Sequence, residues 1–403
     1  MALKGCKWLL IIAAFVLLTG CWNQRELNEL SIAVALGLDA AKDGQFIVSV
    51  QLVNPGEFAS KRSGGSGGSP VSTFQSRGYS VFDALRRLTT KLNRKVYLSH
   101  LRMLVIGEEL ARRGISEPID YLSRDHEMRS DFAIVIAKKQ KASETLDILT
   151  PQDKIPANKM YSSLEIAETA WASTSKVTLD MLIDELESDG RSPVLTGLVV
   201  KGSRSKGEKL SNLQVADPKA ILQYDGFAVF REDKLIGWLN EKESKGYNFI
   251  QGKVKSTVIV NECQGQSGKL EIELIRTTSA IKAELSNRGE PQITVDVHAE
   301  GNVGEVTCRI DMLNPASIAQ IEQMTEKKIQ DAILDSVKTT QARYKTDIYG
   351  FGDTIHTAYP QKWRTLKHNW DAAFTELEVK AKVDIEIRRV GTISQSIKSR
   401  VRK

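Results

Sequence analysis

Leu377-Glu378-Val379-Lys380-Ala381-Lys382-Val383-Asp384-Ile385-Glu386-Ile387 alternates apolar and charged residues without a break. A period of two belongs to a strand with one buried face and one wet face. Two stretches upstream repeat it. Leu270, Ile272 and Leu274 alternate with Glu271 and Glu273, and Ile293, Val295 and Val297 alternate with Thr294, Asp296 and His298. These read as antiparallel strands. Between them and the final strand lies helical sequence. Asn314-Pro315 starts the longest helix, asparagine as cap and proline at the first helical position. Ile321, Ile329, Ile333 and Val337 give it a buried stripe through about Tyr344, and Trp363 to Phe374 supply a second helical piece. The last strand is expected to return and pair with the earlier ones, closing an α+β domain.

The first half alternates strands and helices. Ser31 to Leu38 and Gln45 to Val53 read as a hairpin around Lys42-Asp43-Gly44. The run Ser63-Gly64-Gly65-Ser66-Gly67-Gly68-Ser69 has nothing to bury and reads as a flexible loop. Ser80 and Asp83 begin a helix whose stripe is Val81, Leu85, Leu88 and Leu92. Leu101 to Ile106 is a strand, Glu108 to Arg113 a helix stopped by Gly114, and Ser116-Glu117-Pro118 the start of another. Phe132 to Ala137, continuously apolar, reads as a central strand. Helices follow around Ser143 to Leu149, Lys159 to Ala172 and Leu179 to Ser188. After Gly190 the composition shifts: Val194 to Val200, Ile221 to Phe230 and Lys234 to Leu239 are strand-like, the last two joined at Arg231-Glu232-Asp233. The expected organisation is a segment 1–20, an N-terminal α+β domain over 21–190, a small β-rich domain over 191–252, a C-terminal α+β domain with an antiparallel sheet and a long helix over 253–395, and a basic tail over 396–403.

The segment 1–20 reads as an export signal. Lys4 and Lys7 form a positive start, and Trp8 to Leu18 is apolar throughout. That stretch is shorter than the roughly 20 residues of a spanning helix and suits a signal core. Leu18-Thr19-Gly20-Cys21 closes it with two small residues before a cysteine, the pattern cut by a lipoprotein signal peptidase. Cys21 is then the lipid attachment site, an S-diacylglycerol cysteine that is also N-acylated. Two or three acyl chains make such attachment durable. No later segment approaches a spanning length, so the mature chain is expected to be extracytoplasmic and otherwise water-soluble.

Among the 403 residues the formal net charge of +6 falls by two when Lys4 and Lys7 leave, and charges of both signs interleave. That excludes a basic nucleic-acid surface. Lys398 to Lys403 reads as a solvated tail, with contact to anionic lipid as the alternative. Cys6 leaves with the signal, so Cys263 and Cys308 remain, both in strand-like sequence. Two buried thiols are favoured over a disulfide, because connectivity is not written in sequence. His100, His126, His298, His356 and His368 are scattered, with no metal-binding spacing. There is no nucleophile elbow, and Gly350-Phe351-Gly352 lacks the third glycine of a dinucleotide loop. The reading is a chain that is not an enzyme and needs no cofactor or metal.

Two segments resemble one family. Cys21-Trp22-Asn23-Gln24-Arg25-Glu26-Leu27 runs into an apolar strand, Ile32 to Asp39, ending Gly-Leu-Asp. Asp347-Ile348-Tyr349-Gly350-Phe351-Gly352 is followed by Ile355-His356, Tyr359-Pro360, Trp363, Asn369-Trp370-Asp371 and Arg388-Arg389-Val390-Gly391. Both are similar to motifs of the Ger(x)C spore-germination lipoproteins. The resemblance implies an elongated three-domain α+β fold and the C subunit of a germinant receptor. Such a subunit is anchored on the outer face of the spore inner membrane and works with the receptor's A and B membrane subunits. The complex senses amino acids, sugars or nucleosides and triggers release of ions and dipicolinate.

Trp22, Arg25 and Glu26 follow the anchor, where tryptophan suits the headgroup layer and the charged pair suits a partner; packing of Trp22 and Leu27 on the first strand is the alternative. Tyr359, Trp363 and Trp370 read as core. Phe351 leans toward a partner interface, because a loop between two glycines offers few neighbours to bury it. The rival functions are an extracytoplasmic solute-binding lipoprotein, against which the long antiparallel run argues, and a cell-envelope hydrolase, for which no constellation is found.

Overall fold

The structure is a computed structural model that describes residues 29–56 and 68–389. It is an α+β chain built on two mixed sheets with helices packed on them. In the first sheet β1 (Leu30–Ala40) forms the expected hairpin with β2 (Phe46–Val53), and β3 (Val71–Gly78) adds to β2. On its other side β1 runs parallel to the short β4 (Lys95–Tyr97) and to β5 (Met103–Gly107), followed by β6 (Ala133–Ala137). Every residue of β5 and β6 is buried, as a strand covered on both faces requires. One face carries α1 (Val81–Leu88), α2 (Glu108–Arg113), α3 (Ser116–Arg124) and α6 (Leu179–Glu187); α4 (Ala142–Leu146) and α5 (Pro156–Ala170) cover the other. Ser80 caps α1 by accepting the Asp83 N–H at 3.1 Å.

The strands between 191 and 252 have no sheet of their own. β7 (Val194–Gly202) pairs parallel to β6, and β8 (Ala220–Arg231) and β9 (Lys234–Leu239) continue the same sheet antiparallel. Val194 to Leu198 are buried between β6 and β8, so the composition shift after Gly190 marks the continuation of one sheet, whose pairing turns antiparallel at β8, rather than a new sheet.

α7 (Glu241–Ile250) then leads into the second sheet, ordered β10 (Thr257–Glu262), β11 (Lys269–Leu285), β12 (Pro291–Val306) and β13 (Glu378–Arg389). The first three are antiparallel. β13 lies parallel to β12, with Val297 opposite Val383, and corrects the expectation of an antiparallel sheet. The connection passes through α8 (Pro315–Thr339), α9 (Phe351–Ala358), α10 (Pro360–Leu366) and α11 (Trp370–Thr375), and a long helical crossover is what brings a strand back in the same direction. One apolar core joins Phe227 and Leu239 of the first sheet to Ile272, Val295, Ile333 and Phe374 of the second unit.

Candidate functional site

The segment from Asp347 to Trp370 sits where the two units meet. Asp347, 1% exposed, organises it. One carboxyl oxygen accepts the N–H groups of Tyr349 at 2.8 Å and Gly350 at 3.1 Å. The other accepts Gly352 N–H at 2.9 Å and the Trp370 indole N–H at 3.2 Å. The carboxylate thereby satisfies backbone donors at the start of α9. Burial pushes its pKa up to about 7, and these same donors pull the other way.

Aromatic rings continue from Asp347 in both directions. Phe227, Tyr247, Tyr349, Phe351, Phe374 and Trp370 form a run of contacts with centroids between 5.0 and 6.4 Å apart. Trp363 meets Trp370 edge-on at 5.2 Å and His356 stacks on Trp363 at 5.8 Å. Trp363 and Trp370 are buried and Tyr359 is half-buried. Phe351 is also fully buried, which overturns its assignment to an interface. It begins α9 rather than lying in a loop, and it stacks on Tyr349 at 5.0 Å.

The flanking glycines have structural reasons. Gly350 holds φ at 76°, and a Cβ there would lie 2.5 Å from Arg191 Nη2. A Cβ on Gly352 would lie 2.7 Å from the Gly190 Cα and 2.8 Å from the Trp363 ring. The glycine–phenylalanine–glycine motif is thus a close backbone approach between 190–192 and 347–352. Ser192 N–H donates to the Asp347 carbonyl at 2.7 Å, and Ser188 Oγ donates to Asp353 at 2.9 Å. Arg191 stands 3.9 Å from Asp353 and 4.0 Å from the buried Glu185. Burial pushes the Glu185 carboxyl up and the Lys253 ammonium down. A cleft of about 600 Å³ opens beside this junction, lined by Arg191, Arg231, Asp347, Lys367 and Trp370.

Elsewhere the chemistry is sparse. All five histidines are exposed, and His298 faces Asp384 at 3.2 Å on the outer face of the second sheet. Among the described residues no three His, Cys, Asp or Glu side chains are grouped to hold a metal ion. Cys263 and Cys308 are buried, and they are joined as a disulfide, against the expectation of two thiols. The reason is register. Glu262 pairs with Lys269 and Val306 pairs with Leu270, so β10 and β12 end on either side of the first residues of β11, and the next residues bring the Cys263 and Cys308 Cα atoms to 6.4 Å. Cys21, Trp22, Arg25 and Glu26 lie outside the described residues.

Comparison with known proteins identifies what shares this design. The family model "Spore germination protein N-terminal domain" matches residues 23–200, and "Spore germination B3/ GerAC like, C-terminal" matches 225–391. "Spore germination protein KC" of Bacillus subtilis (strain 168) is 34% identical over 394 residues, covering 96% of each chain. This chain belongs to the Ger(x)C family. "Spore germination protein B3" of the same organism is 24% identical and covers 96% of this Ger(x)C chain and 99% of its own. The crystal structure of the GerBC protein superposes with a TM-score of 0.54 at 19% identity, over 88% of this chain and 96% of that one, a likeness of fold.

Proposed function

We propose that this Ger(x)C protein is the lipid-anchored C subunit of a spore germinant receptor, a non-enzymatic scaffold that couples nutrient sensing to the membrane. The observation that carries the reading is full-length similarity to a spore germination protein at 34% identity. Three features support its finer parts. The sequence Leu18-Thr19-Gly20-Cys21 supplies an acylation site for palmitate-type chains. Among the described residues no helix is long and apolar enough to cross a membrane, so attachment falls to Cys21. The Cys263–Cys308 disulfide suits an extracytoplasmic setting, since thiols inside the cell are kept reduced. The outer face of the spore inner membrane and the receptor's A and B membrane subunits are then its surroundings. The family signature around Asp347 acts as packing between the two sheets, the rigid joint that a scaffold needs.

Cys21→Ala tests the anchor. The variant should take up no fatty-acid label and should leave the membrane fraction, because one segment carries all the attachment. Retention of an unlabelled variant in membranes would overturn the proposal of a lipid anchor.

A further inference from the structure

β13 is the edge of its sheet, and an edge strand presents unpaired N–H and C=O groups to a second chain. Here α8 reaches over to occupy them. Glu326 accepts the Ile385 N–H at 3.3 Å, Glu322 accepts the Ile387 N–H at 2.9 Å, and Gln330 donates to the Ala381 carbonyl at 2.8 Å. The three caps are four residues apart on one stripe of the helix. They show that the odd-numbered residues of β13 turn their backbone groups outward. Between them, among the described residues, nothing caps Val383. A groove of about 850 Å³ runs along α8, its lining extending from Ala381, Lys382 and Val383 of β13 past Glu326 and Lys327 to Asn261 and Glu262 of β10.

The charges of β13 are self-complementary about that same residue. Antiparallel pairing of two copies with Val383 opposite Val383 sets Lys382 against Asp384, Lys380 against Glu386 and Glu378 against Arg388, so every facing pair is opposite in sign. All six side chains are exposed. The same register places Ala381 opposite Ile385 and Val379 opposite Ile387, and makes the outward-facing odd residues the hydrogen-bonded pairs, as antiparallel geometry demands. We propose that β13 is a strand-pairing interface for a second copy of this chain, related by a twofold axis at Val383 and held closed by Glu322, Glu326 and Gln330 of α8. A shift of register by one residue would set each outward-facing odd residue opposite an even one, whose backbone groups turn toward its own β12.

Sedimentation velocity of the mature chain carrying Cys21→Ser, over a concentration series, tests this. Glu322→Ala with Glu326→Ala uncaps the edge and should tighten self-association about tenfold. Adding Lys382→Asp places like charges together twice, once at each side of the axis, and should reverse that gain; a further Asp384→Lys should restore it. An uncapped chain that stays as monomeric as its parent, or association indifferent to the two charge changes, would overturn the proposal. If the doubly uncapped chain does not fold, Val383→Cys in a chain uncapped only by Glu326→Ala decides. Facing Cα atoms about 5.5 Å apart suit an interchain disulfide, whereas Lys380→Cys lies about 20 Å from its own symmetry mate and should not cross-link. No Val383→Cys dimer on oxidation, or equal cross-linking at both positions, would also reject the pairing.

Discussion

Truncating Phe351 to alanine removes a ring held between Tyr349 and Phe374 at centroid distances of 5.0 and 6.4 Å. A buried phenylalanine lost in this way costs about 3–5 kcal/mol, depending on how far the site collapses. The melting temperature of Phe351→Ala should therefore fall well below that of the parent. A variant that melts normally yet fails to join its receptor would return Phe351 to an interface role. The residue was misread from sequence because two flanking glycines look like slack chain. Their actual reasons lie roughly 160 residues away, at Gly190 and Arg191, whose close approach no local pattern announces. The role of Asp347 was equally hidden. Its donors sit two, three, five and twenty-three residues on, and only the last of these is an aromatic side chain that a motif would show.

Elements were legible where a single face decides them. β13 shows its period of two because its charged face meets water and its apolar face meets α8, and α8 shows both its cap and its stripe. Asn314 accepts the Ala316 N–H at 2.9 Å, and Ile321, Ile329, Ile333 and Val337 are buried. α7 escaped because its buried residues include Ser244, Gly246 and Asn248, so hydrophobic spacing is absent. A capping box was the available signal: Asn240 and Glu243 each bond the other's backbone N–H, at 2.9 and 2.8 Å. Gly246 explains the weak stripe. A Cβ there would lie 2.1 Å from the Ala332 carbonyl oxygen, so α7 and α8 touch backbone to backbone. Gly246→Ala should cost about 1–3 kcal/mol by forcing the helices apart, despite the better helix propensity of alanine. In urea this is a lower midpoint with unchanged slope. A midpoint equal to or above the parent's would show that the contact yields without strain.

At the scale of the whole chain, β-strand direction and long-range pairing were the illegible part. A parallel return of β13, a first sheet that continues through β9, and the meeting of two cysteines all depend on register between distant segments. The Cys263–Cys308 bond closes 45 residues of chain between the ends of β10 and β12, just ahead of α8. Loop-closure entropy gives such a cross-link about 4 kcal/mol of stabilisation, by restricting the unfolded state. The bond also links stability to place, because it forms by oxidation and persists only where thiols are not kept reduced. Denatured protein taken from spore membranes should leave Cys263 and Cys308 unmodified by an alkylating reagent until a reductant is added. The same chain produced without residues 1–20, and so kept inside the cell, should be alkylated at both positions once denatured, with no reductant. Its melting temperature should match that of a Cys263→Ser and Cys308→Ser double variant, below that of the exported form. Alkylation of both cysteines in the exported protein under denaturing conditions would show that the chain reaches its membrane as a dithiol, and the compartment argument from this bond would fail.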